Sequence, residues 1–522
     1  MGLFDGDQYD ESEVSQPEVD DGAFKDRSTA KLQKPGDVVY NEVLLISEGA
    51  GVIDIKDYVV EINIYEDMFS PCLHGNIIIR DTQNLIEKVP LIGDEILTLD
   101  IQTPEIAGSP GPNYDPTNYI QKSFAVYAIK NRILSNEDKE QLYSMHFISI
   151  EGMMDNVTYL CQKYEGTTDE VVQKVFDEEF KDLPRYLNDK ITKETAPKTG
   201  IYISDQPHTS KISFLPPMWT PFQIMNYLAK RSIGNTVPDS PTYLFYETTK
   251  SFYFCSISGL IKSQMDVGYV ANKFKYRKKA YDEQLGQDAI KNGYSHIENL
   301  EFLTNMDVLQ GQDLGHFASS LCTLDMVNKE YVGTVYDHGF DFQKYPHLGN
   351  YESAMNSVAP TKKEKKYNSI FPANVIRSSD SKVFIETIHK GVLDNTDDDL
   401  MNLHPERYVQ QRNSLFSDIT TLKMKITVPG RTNMEVGTII DLDYPSVSAD
   451  RDKSASEEIR DKWVSGYYMI TAIHHQITKL RHNAICEIAK DSYLNELVTV
   501  SEEPSTPAAA PDQPTNPPTP TS

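Results

Sequence analysis

The sequence predicts an α+β fold: two homologous antiparallel β-barrels flank a mixed α/β middle region, and both ends are disordered. Three observations predict it. Alternating strand patterns fill residues 37–158 and return over 413–497. Helix-period patterns lie between them. Three strands of the first region also recur, in order, in the last. "IGDEILTLD" (92–100) matches "VGTIIDLD" (436–443), "VYAIKNRI" (126–133) matches "ITAIHHQI" (470–477), and "HFISIEG" (146–152) matches "AICEIAK" (484–490). A long polar insertion follows the first of these strands both times, at 103–122 and at 446–462.

The elements follow in chain order. "YVVEINIYE" (58–66), "HGNIIIRD" (74–81), "LIGDEILTLDIQ" (91–102, opened by Gly93), "SFAVYAIKNRI" (123–133) and "YSMHFISIEG" (143–152) are short strands broken by Gly, Pro and Asn. That spacing suits a small antiparallel barrel or sandwich. From about 159 the period changes. Thr167 and Glu170 stand at capping-box spacing ahead of Val171, Val172, Val175, Phe176, Phe180 and Leu183, and Pro184 ends the run. "MWTPFQIMNYLAKRSIG" (218–234) is a second helix. Thr220 is its N-cap, Pro221 is at N1 and Gln223 completes the box. Trp219 staples onto Ile224, and Gly234 closes the end. Residues 243–257 form a hairpin turning at Thr248 to Ser251, residues 305–331 read as mostly helical, and 332–412 show no dominant period. Strands resume at Ser414 with 418–430, 434–446, 463–479 and 481–494. The resulting units are an acidic arm (1–36), a first β-domain (37–158), a mixed domain (159–270), a mixed connecting domain (271–412), a second β-domain (413–497) and a Pro/Thr-rich tail (498–522).

Composition narrows the function. A chain of 522 residues exceeds one core. With 50 basic and 77 acidic residues its net charge is −27, a poor balance for gripping DNA or an anionic membrane, and a suitable one for letting nucleic acid pass. No apolar run approaches the ~18 residues of a membrane span. The N-terminus has no signal-peptide pattern, and Gly6 stands where a myristoylation motif wants Ser or Thr. The five cysteines are scattered without a C-x-x-C, which fits reduced thiols, and Cys255 and Cys486 read as buried strand residues.

Catalytic signatures are missing: there is no G-x-S-x-G, H-E-x-x-H, P-loop or Rossmann glycine pattern. His474, His475 and His482 suggest a metal, but neighbours on a strand point to opposite faces, so the strand-surface reading is preferred. "DNTDDDL" (394–400) lacks the EF-hand glycine and reads as a solvated loop. Trp219 and Phe222 form either a partner-binding stripe or, more simply, the anchor of a helix to its own core.

The order of a β-domain, a W-T-P-F helix, a G-x-x-A-S-x-x-x-x-x-D segment and a second β-domain ending in S-G-Y-Y-M-I-T-A-I-H-H resembles the baseplate central hub proteins of contractile-tailed bacteriophages. The matching residues are Trp219–Gly234, Asn299–Tyr331, Val436–Leu442 and Ser465–Glu487, within a span of 37–495. The resemblance implies a homotrimeric virion protein, assembled in host cytoplasm. In such hubs each chain supplies two barrel-like tube domains to a ring that adapts the six-fold tail tube to a three-fold central spike. Implied partners are the spike protein, the tail tube or tube-initiator protein, baseplate wedge proteins and the tape measure protein, with DNA passing through unbound. It implies no catalytic, cofactor or metal residue. The structural or interaction candidates are Trp219, Phe222, Gly93, Gly437, Tyr467 and Ile473. A tail-associated cell-wall hydrolase is the alternative. A carbohydrate-binding module fits the interleaved helical region poorly.

Overall fold

The structure is a computed structural model that describes residues 32–89, 91–104, 119–135, 139–203, 211–235, 237, 239–266, 272–276, 293–305, 307–351, 379–388, 400–446 and 460–495. It is mostly β. The first region forms β1 (Val39–Ser47), β2 (Gly51–Asp54), β3 (Val59–Asp67), β4 (His74–Asp81), β5 (Ile96–Gln102), β6 (Tyr119–Ser135) and β7 (Glu140–Ser149), with α1 (Leu85–Lys88) after β4 and α2 (Ile150–Asp155) after β7. Their spatial order is β2-β1-β5-β6-β7-β4-β3, antiparallel throughout. Alternate residues such as Ile62, Ile64, Ile77, Leu99, Phe124 and Phe147 point into one core. Burying each contributes about 1.5–3 kcal/mol.

The middle begins with β8 (Tyr164–Thr167), α3 (Thr168–Glu179), β9 (Ile201–Ile203), β10 (Lys211–Phe214), α4 (Pro221–Ala229), β11 (Tyr243–Glu247), β12 (Phe252–Ser256) and α5 (Ile257–Asp266). Both capping boxes form, Thr167 with Glu170 and Thr220 with Gln223. The apolar faces of α3 and α4 meet β11 and β12 in a core that includes Phe176, Ile224 and Phe254. The hairpin turns where the sequence places it, with the Thr248 amide donating to the Ser251 carbonyl at 2.9 Å. Helix α4 ends at Ala229 with Lys230 as its cap. Gly234, expected to close it, lies beyond and donates its N–H to the Ser240 carbonyl instead.

Next come β13 (Asn272–Tyr276), β14 (His296–Ile297), β15 (Asn299–Asn305), α6 (Val308–Leu314), β16 (Ala318–Asp325), β17 (Glu330–Asp337), α7 (His338–Asp341), β18 (Val383–Ile388) and α8 (Val409–Ile419). Strands β17-β16-β18 form a separate small sheet. The helical reading of 305–331 is therefore corrected. Gly315 takes a left-handed φ of 77° and stops α6, after which "ASSLCTLD" alternates and pairs as a strand. Ser414, read as the return of strand pattern, lies inside α8; the strands resume at Leu422 with β19 (Leu422–Pro429), β20 (Ile439–Asp443), β21 (Gly466–Thr478) and β22 (His482–Lys490).

One arrangement occurs twice. The antiparallel order β3-β4-β7-β6-β5 recurs as β15-β19-β22-β21-β20, in the same chain order. A β-bulge falls at the same place in each. Val126 faces Phe147 and Ala128 faces His146, so Tyr127 is extra; Ile470 faces Ile488 and Ala472 faces Glu487, so Thr471 is extra. This register moves the match of 146–152 with 484–490 by three residues: Phe147 corresponds to Ile488, not Ile485. The reason is facing, since Phe147 and Ile488 are fully buried and Ile485 is not. The first strand of the second set, β15, precedes the inserted sheet, so this set starts over a hundred residues before the boundary at 413. All these strands belong to one 14-stranded sheet, which is open. Among the described residues no barrel closes, which corrects that part of the expected fold.

Candidate functional site: the joint between the repeated sheets

The two strand sets meet along one ladder. The first third of β21 pairs with β20, from Met469 to Gly466. Beyond the Thr471 bulge that same edge is taken by β3, with partners from Ala472 and Asp67 to Thr478 and Glu61. The Thr471 carbonyl accepts from the Met68 amide at 3.0 Å and seals the handover.

A polar cluster lies under this ladder. The buried Glu66 carboxylate accepts the Thr249 amide at 2.9 Å and the Val436 amide at 3.4 Å. Strand β3, the 248–251 turn and the approach to β20 thus converge on one side chain. Glu435 lies beside it and accepts from the Tyr253 hydroxyl at 3.2 Å. Burial, and then the neighbouring Glu66 charge, push its pKa up to about 7. His475 points into the same cluster, with Nε2 3.8 Å from Glu66 and Nδ1 3.0 Å from Nε2 of His482. Both rings are fully buried, which corrects their reading as strand-surface residues. Glycine explains the closure: a Cβ on Gly430 would stand 2.4 Å from the His482 ring, so the chain packs directly on the imidazole. Burial holds the His482 pKa well below its usual value. His474 takes the other face, as strand alternation requires, and meets Asn63 at 2.7 Å and the Tyr65 ring at 4.5 Å. A second joint ties β6 to the middle region, where buried Lys122 pairs with Glu247, whose other oxygen accepts the Leu73 amide at 2.8 Å.

The corresponding half of β6 has no such cover. Strand β5 pairs with β6 only up to Ala125. From Tyr127 to Leu134 β6 pairs with β7 on one edge, and no described strand takes the other. Tyr127, Ile133 and Leu134 are 47%, 57% and 57% exposed there. Strand β15, the counterpart of β3, likewise pairs only with β19 among the described residues, and Phe302 and Leu303 are exposed on it.

The six candidate residues do not form one site. Phe222 is buried in the core of its own region and Trp219 packs on Tyr227 at 4.9 Å, so this pair anchors α4. Gly93 and Gly437 precede the corresponding strands β5 and β20, with φ of 102° and 83°. Ile473 is buried in the joint itself, opposite Glu66, whereas Tyr467 lies half-buried opposite Asp441. Glu66 and Glu435 escaped the sequence reading, because isolated carboxylates in a chain with 77 acidic residues carry no signal. The 394–399 part of the acidic loop, most of the 1–36 arm and all of the 498–522 tail lie outside the described residues.

No protein-family model and no curated protein matches the chain. Solved structures resemble it distantly. A tail protein from Neisseria meningitidis MC58 aligns at a TM-score of 0.45 and 9% identity, covering 87% of this chain and 97% of that one. The 43 kDa tail protein of prophage MuSo2 from Shewanella oneidensis aligns at 0.42 and 8%, covering 86% and 98%. An E. coli component of the type VI secretion system, described as similar to T4 bacteriophage tail proteins, aligns at 0.36 and 8%, covering 89% and 80%. These structural neighbours are phage tail and related proteins.

Proposed function

We propose that the chain is a structural hub of a phage tail, three copies of which close a ring around the path of the DNA. The observation that carries this reading is the unequal use of one repeated edge. Within the chain β3 covers the outer half of β21, while among the described residues no strand covers their counterparts, the free edge of β15 and the outer half of β6. Applying the internal junction between chains places β15 of one copy on β6 of the next. Three chains then give six similar strand sets, and these two exposed strand edges disappear, as closed assemblies favour. Residues 37–158 and 413–497, with β15 added to the latter, are the two ring-forming units in this reading. The rest of residues 159–412 are the mixed domains outside the ring, and 1–36 and 498–522 are extensions. Such a ring mates a six-fold tube on one side to a three-fold spike on the other, within a baseplate in the virion, and performs no catalysis.

Light scattering and negative-stain images of the purified protein test this. A trimer mass and a three-fold ring are expected, alone or with the spike protein added. A monomer at micromolar concentration that stays a monomer with the spike would overturn the reading. The acidic balance supports a lumen without net positive charge. Duplex DNA should therefore not be retarded at ~50 mM salt, and a shift there that vanishes by ~200 mM would mean that the ring grips phosphates.

A further inference from the structure

The inserted sheet is tied to the second strand set by a buried cluster away from the repeated edges. His316 follows the stop of α6 at Gly315, His338 opens α7, and Asp418 lies in the last turn of α8. They are 2%, 0% and 1% exposed. Ser414, one helical turn before Asp418, orients both imidazoles. Its carbonyl can only accept, so at 3.1 Å it takes the Nδ1 proton of His316. Its hydroxyl donates to the His316 carbonyl at 2.7 Å and therefore accepts from Nδ1 of His338 at 2.9 Å. Each ring thus carries a proton on Nδ1, which in the neutral imidazole leaves the lone pair on Nε2.

Both lone pairs face the Asp418 carboxylate. His316 Nε2 is 3.7 Å from Oδ1 and His338 Nε2 is 3.4 Å from Oδ2. All four atoms are buried without a hydrogen-bond partner. Three acceptor groups therefore converge with no donor between them, an arrangement native cores avoid. A proton on either Nε2 would make only a long, weak bond, because both separations exceed the usual ~2.7–3.2 Å of an N–H···O bond. The shorter is close to the edge of a tetrahedron around a metal with ligand bonds of about 2.0–2.1 Å, which is about 3.3 Å, and one ligand atom from each of the three residues lies within 4.8 Å of the others.

We infer that His316, His338 and Asp418 bind a divalent transition-metal ion of the zinc class, which fastens the inserted sheet to the second strand set. Two imidazoles and one carboxylate favour such an ion over calcium or magnesium, which prefer oxygen. The Nδ1–H bonds to Ser414 are the outer partners that metal-bound histidines normally have. Three protein ligands leave a fourth position for water. Nearby His347 is not a ligand, since both of its nitrogens donate, Nδ1 to Asp491 at 2.8 Å and Nε2 to the Phe342 carbonyl at 2.8 Å. His347 pairs with Asp491 on the flank of the site, with its Nδ1 3.9 Å from Oδ2 of Asp418.

The test is elemental analysis of the full-length protein, purified without chelator and dialysed against metal-free buffer. About one zinc, iron, cobalt or nickel per chain is expected. Stripped protein should regain thermal stability on adding zinc, and adding cobalt should give the visible spectrum of a tetrahedral site. Asp418→Asn and His316→Gln should lose the metal, Ser414→Ala should bind about 10–100-fold more weakly, and His347→Gln should keep it. Wild-type protein that holds no stoichiometric transition metal, and whose melting does not respond to added zinc or cobalt, would overturn the assignment whether or not any variant folds. Loss of metal in His347→Gln but not in His316→Gln would overturn it too.

Discussion

Strands β6 and β21 occupy the same place in two repeated sheets, share a bulge at the same position, and end in opposite surroundings. The outer half of β21 is covered by β3 and rests on buried Glu66. Among the described residues the outer half of β6 is bare, and its apolar side chains Ile133 and Leu134 are exposed. Sequences this alike would be expected to have alike neighbours. The difference teaches that the covered half shows a contact inside the chain, and the bare half shows where that contact is missing. Half-buried strands with a free edge and apolar side chains are normally paired or blunted.

The largest effect comes from placing one charge in each half. Ile477 is fully buried under the ladder. Ile477→Lys should destabilise the isolated chain by more than about 4 kcal/mol, seen as loss of soluble protein or an early urea midpoint. Ile133→Lys should change the stability of the chain by less than about 0.5 kcal/mol, yet abolish assembly measured by light scattering. If Ile133→Lys assembles normally, the bare half of β6 is not an interface and the comparison fails.

A second contrast lies one strand away. The pairing register sets Gly75 opposite Phe147, and Met424 opposite Ile488. A Cβ at Gly75 would stand 2.2 Å from the Asn63 carbonyl and 2.5 Å from the Phe147 ring. The first sheet thus fills with one ring the space that the second fills with two aliphatic chains. Gly75→Ala should cost about 3 kcal/mol by overpacking. Adding Phe147→Ile should recover part of it, with a coupling of about 1 kcal/mol in a double-mutant cycle of urea midpoints. Strict additivity would mean that the backbone of β3 is the whole obstacle.

These contrasts also show what the sequence could disclose. Strands with both a period and a counterpart, such as 126–133 and 470–477, were legible, because alternation and repetition are local. Capping boxes at Thr167 and Thr220 were legible for the same reason. The register of β22 was not, because "HFISIEG" and "AICEIAK" can be aligned three residues apart, and only burial selects the phase. Strand β15 was hidden by the inserted sheet that separates it from β19. His475 and His482 read as surface residues because sequence does not show that Gly430 opens a space for a ring. His316, His338 and Asp418 were invisible as a set: about a hundred residues separate the first from the last, and the segment holding His316 read as helix.

The covered joint buries acid where the bare one cannot, and pH sharpens that contrast. The pKa of Glu435 is raised from 4.5 to about 7 in the folded chain. Between those values the folded state holds a proton that the unfolded state has lost, so stability falls as pH rises through the window. The group is almost wholly buried, which makes the drop about 3 kcal/mol between pH 4 and pH 8. Glu435→Gln keeps an acceptor for Tyr253 and Thr248 without the charge. It should flatten the pH dependence of the urea midpoint and stabilise the chain at pH 8. An unchanged slope in the variant would show that Glu435 is not the group responsible.

The smallest effect tests whether the bare half of β6 is fully shaped in the single chain. Asn131 has a left-handed φ of 54°, within an irregular pairing between Lys130 and Ile133. Its sequence counterpart His475 lies in the regular ladder with β3. Asparagine tolerates that conformation better than other residues with a side chain, and glycine adopts it without strain. Asn131→Gly should therefore leave the chain within a few tenths of a kcal/mol of the parent, whereas Asn131→Ala should cost about 1 kcal/mol. If a neighbouring β15 straightens β6 in the assembly, as β3 accompanies a regular β21, the alanine penalty should shrink there and Asn131→Ala should assemble more tightly relative to its own monomer. Concentration-dependent light scattering of the three proteins measures this. An alanine variant whose assembly is weakened would show that the left-handed turn at Asn131 persists in the assembled state, and that β6 and β21 differ by design even when both are covered.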